Sequence, residues 1–250
     1  MAITGANRGT GTHNTSALTF TATPASNLAS GSWAVLVIAC DNADTSGTAH
    51  STYTVTDTNG NTWTRRVAAL YDPGAAAAGV EGAVFTTDMS GGELTTGSTI
   101  TVTYDANTTA KAWTLTEVIP TSLYRITFVD EGDGTGSATA APTVTSGSIT
   151  NGNVVFGCLF NEQGTAQTVT ADADATNGSW STQQTAEVGT TAAGMTVASQ
   201  YKIVTATATQ TYNPTLGVSS DCLCSWMQLS EELIPAITGS AWQSTLGGWF

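Results

Sequence analysis

Lysine and arginine together number only six in a chain of 250 residues, against nineteen aspartates and glutamates, a formal net charge of −13. That balance repels phosphate backbones and anionic bilayers, so neither nucleic acid nor a membrane surface is expected as a partner. Histidine is scarcer still, with only His13 and His50. Neither stands in a zinc-ligand spacing, no serine sits in a Gly-x-Ser-x-Gly elbow, and no phosphate-cradling Gly-Lys-Ser/Thr loop occurs. No catalytic, cofactor-binding or metal-binding residue is therefore expected, and the chain does not read as an enzyme. Four cysteines are too sparse for a disulfide framework at this length. Cys40 and Cys158 fall in apolar runs, and Cys222 and Cys224 on one face of a third, so all four read as buried thiols. No apolar stretch approaches the 18 or so residues of a membrane span, and residues 1–9 hold no signal-peptide core, which leads one to expect synthesis in a cytoplasm.

What the chain has in abundance is threonine, about a fifth of all residues. A β-branched side chain loses rotamer freedom on a helix and sits well on a pleated surface, so a Thr-rich, Lys-poor and Glu-poor chain points to an all-β protein with a hydroxyl-coated exterior. Its length is enough to bury about 70–75% of the surface of the unfolded chain.

Strand-length segments recur in the same order twice. Trp33 to Cys40 is a continuous apolar run, the mark of a strand buried on both faces. Tyr53 and Val55 alternate with threonines ahead of Asn59-Gly60 and Trp63, which reads as a hairpin with the indole over Tyr53 and Val55. Gly82 to Thr87 gives a further strand. Ser98 to Tyr104 alternates with Ile100, Val102 and Tyr104 inward, and Ala112 to Val118 closes the first half. Val154–Phe160, Thr168–Thr170, Asn177-Gly178 with Trp180, Val197–Val204 and Cys222–Leu229 repeat that order. Equivalent residues are 121 apart at Gly31 and Gly152, 118 at Gly60 and Gly178, and 111 at Val118 and Leu229. The expected architecture is one large antiparallel β-sandwich of jelly-roll type built from two similar halves, with two immunoglobulin-like domains as the alternative. The divisions are an extended arm (1–14), a first half (15–120), an acidic connector (121–145), a second half (146–233) and a C-terminal docking tail (234–250).

The remaining polar groups are weak candidates for chemistry. Glu117 is the one acid well placed on an expected strand and its counterpart is Gln228, so no carboxylate pair for glycoside hydrolysis is in view. Asp130 to Asp133, and Asp172 with Asp174, offer oxygens to Ca²⁺ but match no twelve-residue calcium loop; they read as solvated loops. Trp33, Trp63, Trp113, Trp180 and Trp226 are the raw material of a sugar-stacking platform, yet their recurrence in both halves favours core packing. The tail carries Ile237, Trp242, Leu246, Trp249 and Phe250, apolar groups that are costly to leave bare; these, with Arg8 in the arm, are the expected interface residues.

The pattern of a buried strand, an alternating strand ending in Asp57-x-x-Gly60-Asn61-Thr62-Trp63, a Gly-rich loop, Ile100-Thr101-Val102-Thr103 and Ala112 to Glu117-Val118, followed by a looser copy, resembles the β-sandwich proteins of tailed-bacteriophage virions. The resemblance covers about residues 15–230 and rests on strand and turn order. It implies a head decoration or cement protein bound to the major capsid protein and to copies of itself, located in the virion. The alternative is a tail-fibre module that binds a carbohydrate or host receptor. The acidic connector and the aromatic tail lie outside that pattern.

Overall fold

The computed structural model describes residues 3–41, 50, 52–74, 79–163, 167–189 and 194–235. It is all-β, without helix, in antiparallel sheets. Sixteen strands occur among the described residues: β1 (Thr4–Ala22), β2 (Trp33–Asp41), β3 (Tyr53–Asp57), β4 (Thr64–Tyr71), β5 (Val80–Thr87), β6 (Ile100–Ile119), β7 (Tyr124–Asp133), β8 (Ser137–Thr139), β9 (Val144–Ile149), β10 (Val154–Glu162), β11 (Val169–Thr170), β12 (Gln184–Val188), β13 (Met195–Ile203), β14 (Ala208–Tyr212), β15 (Thr215–Leu216) and β16 (Ser220–Leu233).

Two six-stranded sheets carry the fold. One has the order β1-β6-β2-β5-β4, with β3 added to β6; the other has β7-β16-β10-β13-β12, with β8 added to β16. Each is drawn from one contiguous stretch of chain. The pairings also correspond residue for residue: Trp33 opposes Val118 through to Cys40 opposing Lys111, and Val154 opposes Leu229 through to Asn161 opposing Cys222.

A central core lies between the sheets. Val35, Val37 and Ala39 of β2 meet Phe156, Cys158 and Phe160 of β10 within a single buried cluster. The alternate residues of β2, Leu36, Ile38 and Cys40, face away into a second cluster, roofed by Tyr53, Val55, Val102 and Tyr104. A third cluster holds Val155 and Leu159 beneath Val144, Ile149, Tyr212 and Leu216. Both faces of β2 and β10 are therefore covered, which is why these runs are apolar without alternation. Each six-stranded sheet thus has a cluster on its outer face besides the core that the two share.

Three expected features take a different form. Residues 4–14 are the first part of a nineteen-residue edge strand paired along β6, with register shifts after Asn7 and Asn14. Residues 124–133 of the acidic connector are β7, the opposite sheet's edge, paired with β16. An edge strand with solvent beyond it needs no regular apolar face, so polar residues there hide the pairing from the pattern. The segment around Asn59-Gly60 is a turn but not a hairpin: β3 pairs with β6, and β4 with β5. Asp57 organises it. Its Oδ1 accepts the Asn59 N–H at 2.8 Å and its Oδ2 the Trp63 indole N–H at 2.7 Å, an Asx turn that sends the chain to a different strand neighbour. Trp63 does pack on the cluster containing Tyr53 and Val55.

The two sheets approach closely because small residues face large ones. Gly82 lies under Phe160, whose ring is fully buried, and a Cβ at Gly82 would fall 2.3 Å from that ring. Gly82→Ala is expected to cost about 1–3 kcal/mol by overpacking, measured by urea unfolding, and combining it with Phe160→Leu should recover part of the loss; an unchanged midpoint for the single variant would show that the sheets are not in this contact.

Candidate functional site

Three regions hold the side chains that can do more than fill space. The first is a buried ion pair. Glu117 of β6 is fully buried, and its two oxygens take four donors: Arg8 Nε at 2.7 Å and Arg8 Nη2 on Oε2, the Ala29 N–H at 2.7 Å and the Ser32 hydroxyl at 2.6 Å on Oε1. Arg8 is thus turned inward from β1, fixed to the strand its backbone pairs with. It is a structural residue here, where the sequence suggests an interface. Removing one partner of such a pair leaves the other charge buried. Arg8→Ala should lower stability by about 3 kcal/mol in chemical denaturation; a loss below about 1 kcal/mol would place the pair in the class of ordinary surface bridges.

The second region lies at the far end of β2. Cys40 is flanked in the sheet by Glu81 on one side and Lys111 on the other. His50 is buried above this row, and a carboxylate oxygen of Glu81, the thiol of Cys40 and a ring nitrogen of His50 all lie within 4.8 Å of one another. His50 Nδ1 is 2.8 Å from Asp105 Oδ1, and the His50 backbone N–H donates to Glu81 Oε2 at 2.9 Å. Nε2 is buried and has no hydrogen-bond partner among the described residues. The hydroxyls of Tyr53 and Tyr104 are 3.2 Å apart, and both residues pack with Cys40 in one buried cluster. Burial pushes the Cys40 thiol well above its usual range, with Glu81 adding to the rise. Burial likewise raises the Glu81 carboxyl, against the opposing His50 N–H. These are the described residues best able to hold a metal ion. The sequence gives only a faint sign of them: a glutamate inside the apolar strand Val80–Thr87, opposite the last apolar residue of β2.

The third region is the other end of the sandwich. Leu123, Tyr124, Leu233 and Ile234 are exposed there, Leu123 at 73% and Leu233 at 56%. A groove of about 380 Å³ runs beside them, lined by Trp33, Tyr124, Ile126 and Ile234 among others. It adjoins a second, of about 300 Å³, where Trp33 meets Thr64, Asp88 and Ser90. Arg66 lies 4.5 Å from the Phe128 ring centroid and 5.7 Å from that of Trp33. The expected interface residues Ile237, Trp242, Leu246, Trp249 and Phe250 lie outside the described residues, in the segment that begins just beyond this end.

The other candidates are structural. All four cysteines are buried and unbridged; Cys222, its thiol pushed up to about 11 by burial, bonds to the Ser137 carbonyl at 3.3 Å. Asp172 and Asp174 cap turns: Asp172 Oδ1 accepts the Asp174 N–H and Asp174 Oδ1 the Thr176 N–H, while Lys202 Nζ donates to Asp174 Oδ2 at 3.2 Å. Asp133 accepts the Ser225 hydroxyl at 2.6 Å. Trp63, Trp113, Trp180 and Trp226 pack on the two outer clusters and Trp33 on the central one. Among the described residues no helix is long and apolar enough to cross a membrane. No protein-family model, curated protein or solved structure matches the chain.

Glu162, at the end of β10, is the described carboxyl pushed furthest from its usual value. Burial lifts its carboxyl from about 4.5 to about 8, with Asp41 and Asp221 adding to the rise and the Gly79 N–H, which donates to it, opposing. Between those values the folded chain holds a proton that the unfolded chain has released, so stability falls as pH rises from about 5 to 8. Glu162→Gln should raise Tm at pH 8 and flatten its dependence over that window; a parent Tm that climbs from pH 5 to 8, with Glu162→Gln leaving the profile unaltered, would contradict this.

Proposed function

We propose that this chain is a structural virion protein of a tailed bacteriophage, a capsid decoration protein that binds the head lattice. It would do so through its apolar end and residues 234–250. The observation that carries the reading is the coincidence at that end: Leu123, Tyr124, Leu233 and Ile234 are bare where the chain leads into a segment ending Gly247-Gly248-Trp249-Phe250. Exposed apolar groups rimmed by polar ones mark contact surfaces, and a lattice multiplies a modest contact by symmetry. A hydroxyl-rich exterior of low charge suits close packing against neighbours.

The reading of the fold as two similar halves is supported by the shared strand order and by pairings that keep one offset along β2 and β10, and another along β6 and β16. The jelly-roll ordering draws less support, since consecutive strands of each half stay largely in one sheet. A second function has a specific observation in its favour. The groove beside Trp33, with Thr64, Asp88 and Ser90 along it, has the aromatic and hydroxyl character of a glycan site, as a tail-fibre module would need.

The deciding experiment mixes the purified chain with undecorated phage heads. Deleting residues 238–250 should leave Tm within about 2 °C and reduce bound copies per particle at least tenfold, as should Leu233→Asp. Full binding by both variants would reject the docking end, and glycan binding lost on Trp33→Ala, with no head binding by the parent, would transfer the assignment to the second reading.

A further inference from the structure

We propose that Cys40, His50 and Glu81 form a binding site for a zinc-class divalent cation. This site is independent of the docking end and of the virion assignment. The three donors are of the right kinds: a thiolate, an imidazole nitrogen and a carboxylate oxygen are the ligands of zinc, and a thiolate selects against Ca²⁺ and Mg²⁺. Three protein ligands leave a fourth, tetrahedral position for water, in a site where Tyr53 and Tyr104 pack in one buried cluster with Cys40. With metal–ligand bonds of about 2.0–2.3 Å, ligand atoms stand about 3.3–3.6 Å apart. The present spread of up to 4.8 Å therefore requires a contraction of about 1 Å, within reach of rotamer adjustment.

His50 supplies the independent sign. Its side chain is wholly buried, Nδ1 faces Asp105, and Nε2 has no partner among the described residues. With the proton on Nδ1 directed to a carboxylate, Nε2 is a lone pair in a dry interior, a costly arrangement without a partner. It is also the arrangement of a metal-binding histidine, whose other ring nitrogen is held by an acid.

The equivalent row in the other sheet sharpens the contrast. Glu81, Cys40 and Lys111 correspond to Thr196, Asn161 and Cys222. There Asn161 Nδ2 donates to the Asp221 carbonyl at 2.9 Å and to the Ser220 hydroxyl, which binds that end by hydrogen bonds. In the first sheet the acceptor-rich row instead calls for a cation, and Lys111 does not provide it: its ammonium is directed away, donating to the Thr15 carbonyl at 2.7 Å. A bound ion would tie the ends of β2 and β5 to the segment entering β3.

The full chain, stripped with chelator, is titrated with Zn²⁺ alone and with Co²⁺ alone. One equivalent of Zn²⁺ should bind at sub-micromolar Kd and raise Tm by about 5 °C or more, and Co²⁺ should give a thiolate charge-transfer band with intense tetrahedral d–d bands. Cys40→Ala and His50→Gln should each lose at least about 100-fold in affinity, and Asp105→Asn about 10–100-fold as an outer-shell change, while Cys222→Ala keeps parental affinity. Circular dichroism of metal-free Cys40→Ala, a small buried substitution, verifies that the variant folds. Absence of stoichiometric uptake by the parent, or uptake undiminished in folded Cys40→Ala, overturns the site.

Discussion

The structure hangs on β6. Its twenty residues pair with β1 along one side, and on the other with β2 through Lys111 to Val118 and with β3 through Ile100 to Tyr104. One strand therefore serves two layers. Its second part lies in the main sheet, where Ala112 and Val118 face the shared core, and its first part turns over the outer face, where Val102 and Tyr104 roof the cluster of Leu36, Ile38 and Cys40. The register shifts of β1 opposite residues 103–110 let both strands make this turn together. Because the strand doubles back over the sheet, Tyr104 and Asp105 come to stand over Cys40 and His50, and Glu117, near its other end, becomes deep enough to need Arg8.

Burial of carboxylates in a chain with so few cations is managed case by case. Glu117 takes an arginine and two further donors, so that both of its oxygens are hydrogen-bonded. Among the described residues Glu81 has a backbone N–H from His50 together with more distant charges, and Glu162 the Gly79 N–H. For both, desolvation wins and the proton is held more tightly. A site short of positive charge can close by protonation or by taking a cation from solution. Glu162, with Asp41 and Asp221 nearby and no thiolate or free imidazole nitrogen beside it, takes the first course. Glu81, beside Cys40 and His50, has the donor set for the second.

Much of the fold was legible in the sequence, and the reason differs by element. The run Val35 to Cys40 could be read as a doubly buried strand, and the alternation of Ile100, Val102 and Tyr104 gave the inward face correctly, since both follow from which faces water touches. Residues 4–14 and 124–133 were opaque because an edge strand is held by backbone pairing and its side chains carry no period. Asn59-Gly60 was read as a hairpin because a turn signal reports chain reversal and not which strand comes next; that was decided by Asp57 and by the neighbours of β6. The metal-ligand cluster left almost no trace. Cys40, His50 and Glu81 are separated by 10 and 31 residues, and only the direct opposition of Cys40 and Glu81 across β2 and β5 brings two of them together.

The distribution of these features along β2 separates two roles in space. Trp33 begins the strand at the apolar end and Cys40 lies near its close, about 23 Å away at the rise of an extended chain. Contacts with a partner at the apolar end leave the Cys40 end untouched, while a cation at the Cys40 end fixes the strands whose opposite termini form the apolar surface. The corresponding rows of the two sheets keep the same pairing at that end and differ in chemistry, with Glu81, Cys40 and Lys111 in one and Thr196, Asn161 and Cys222 in the other.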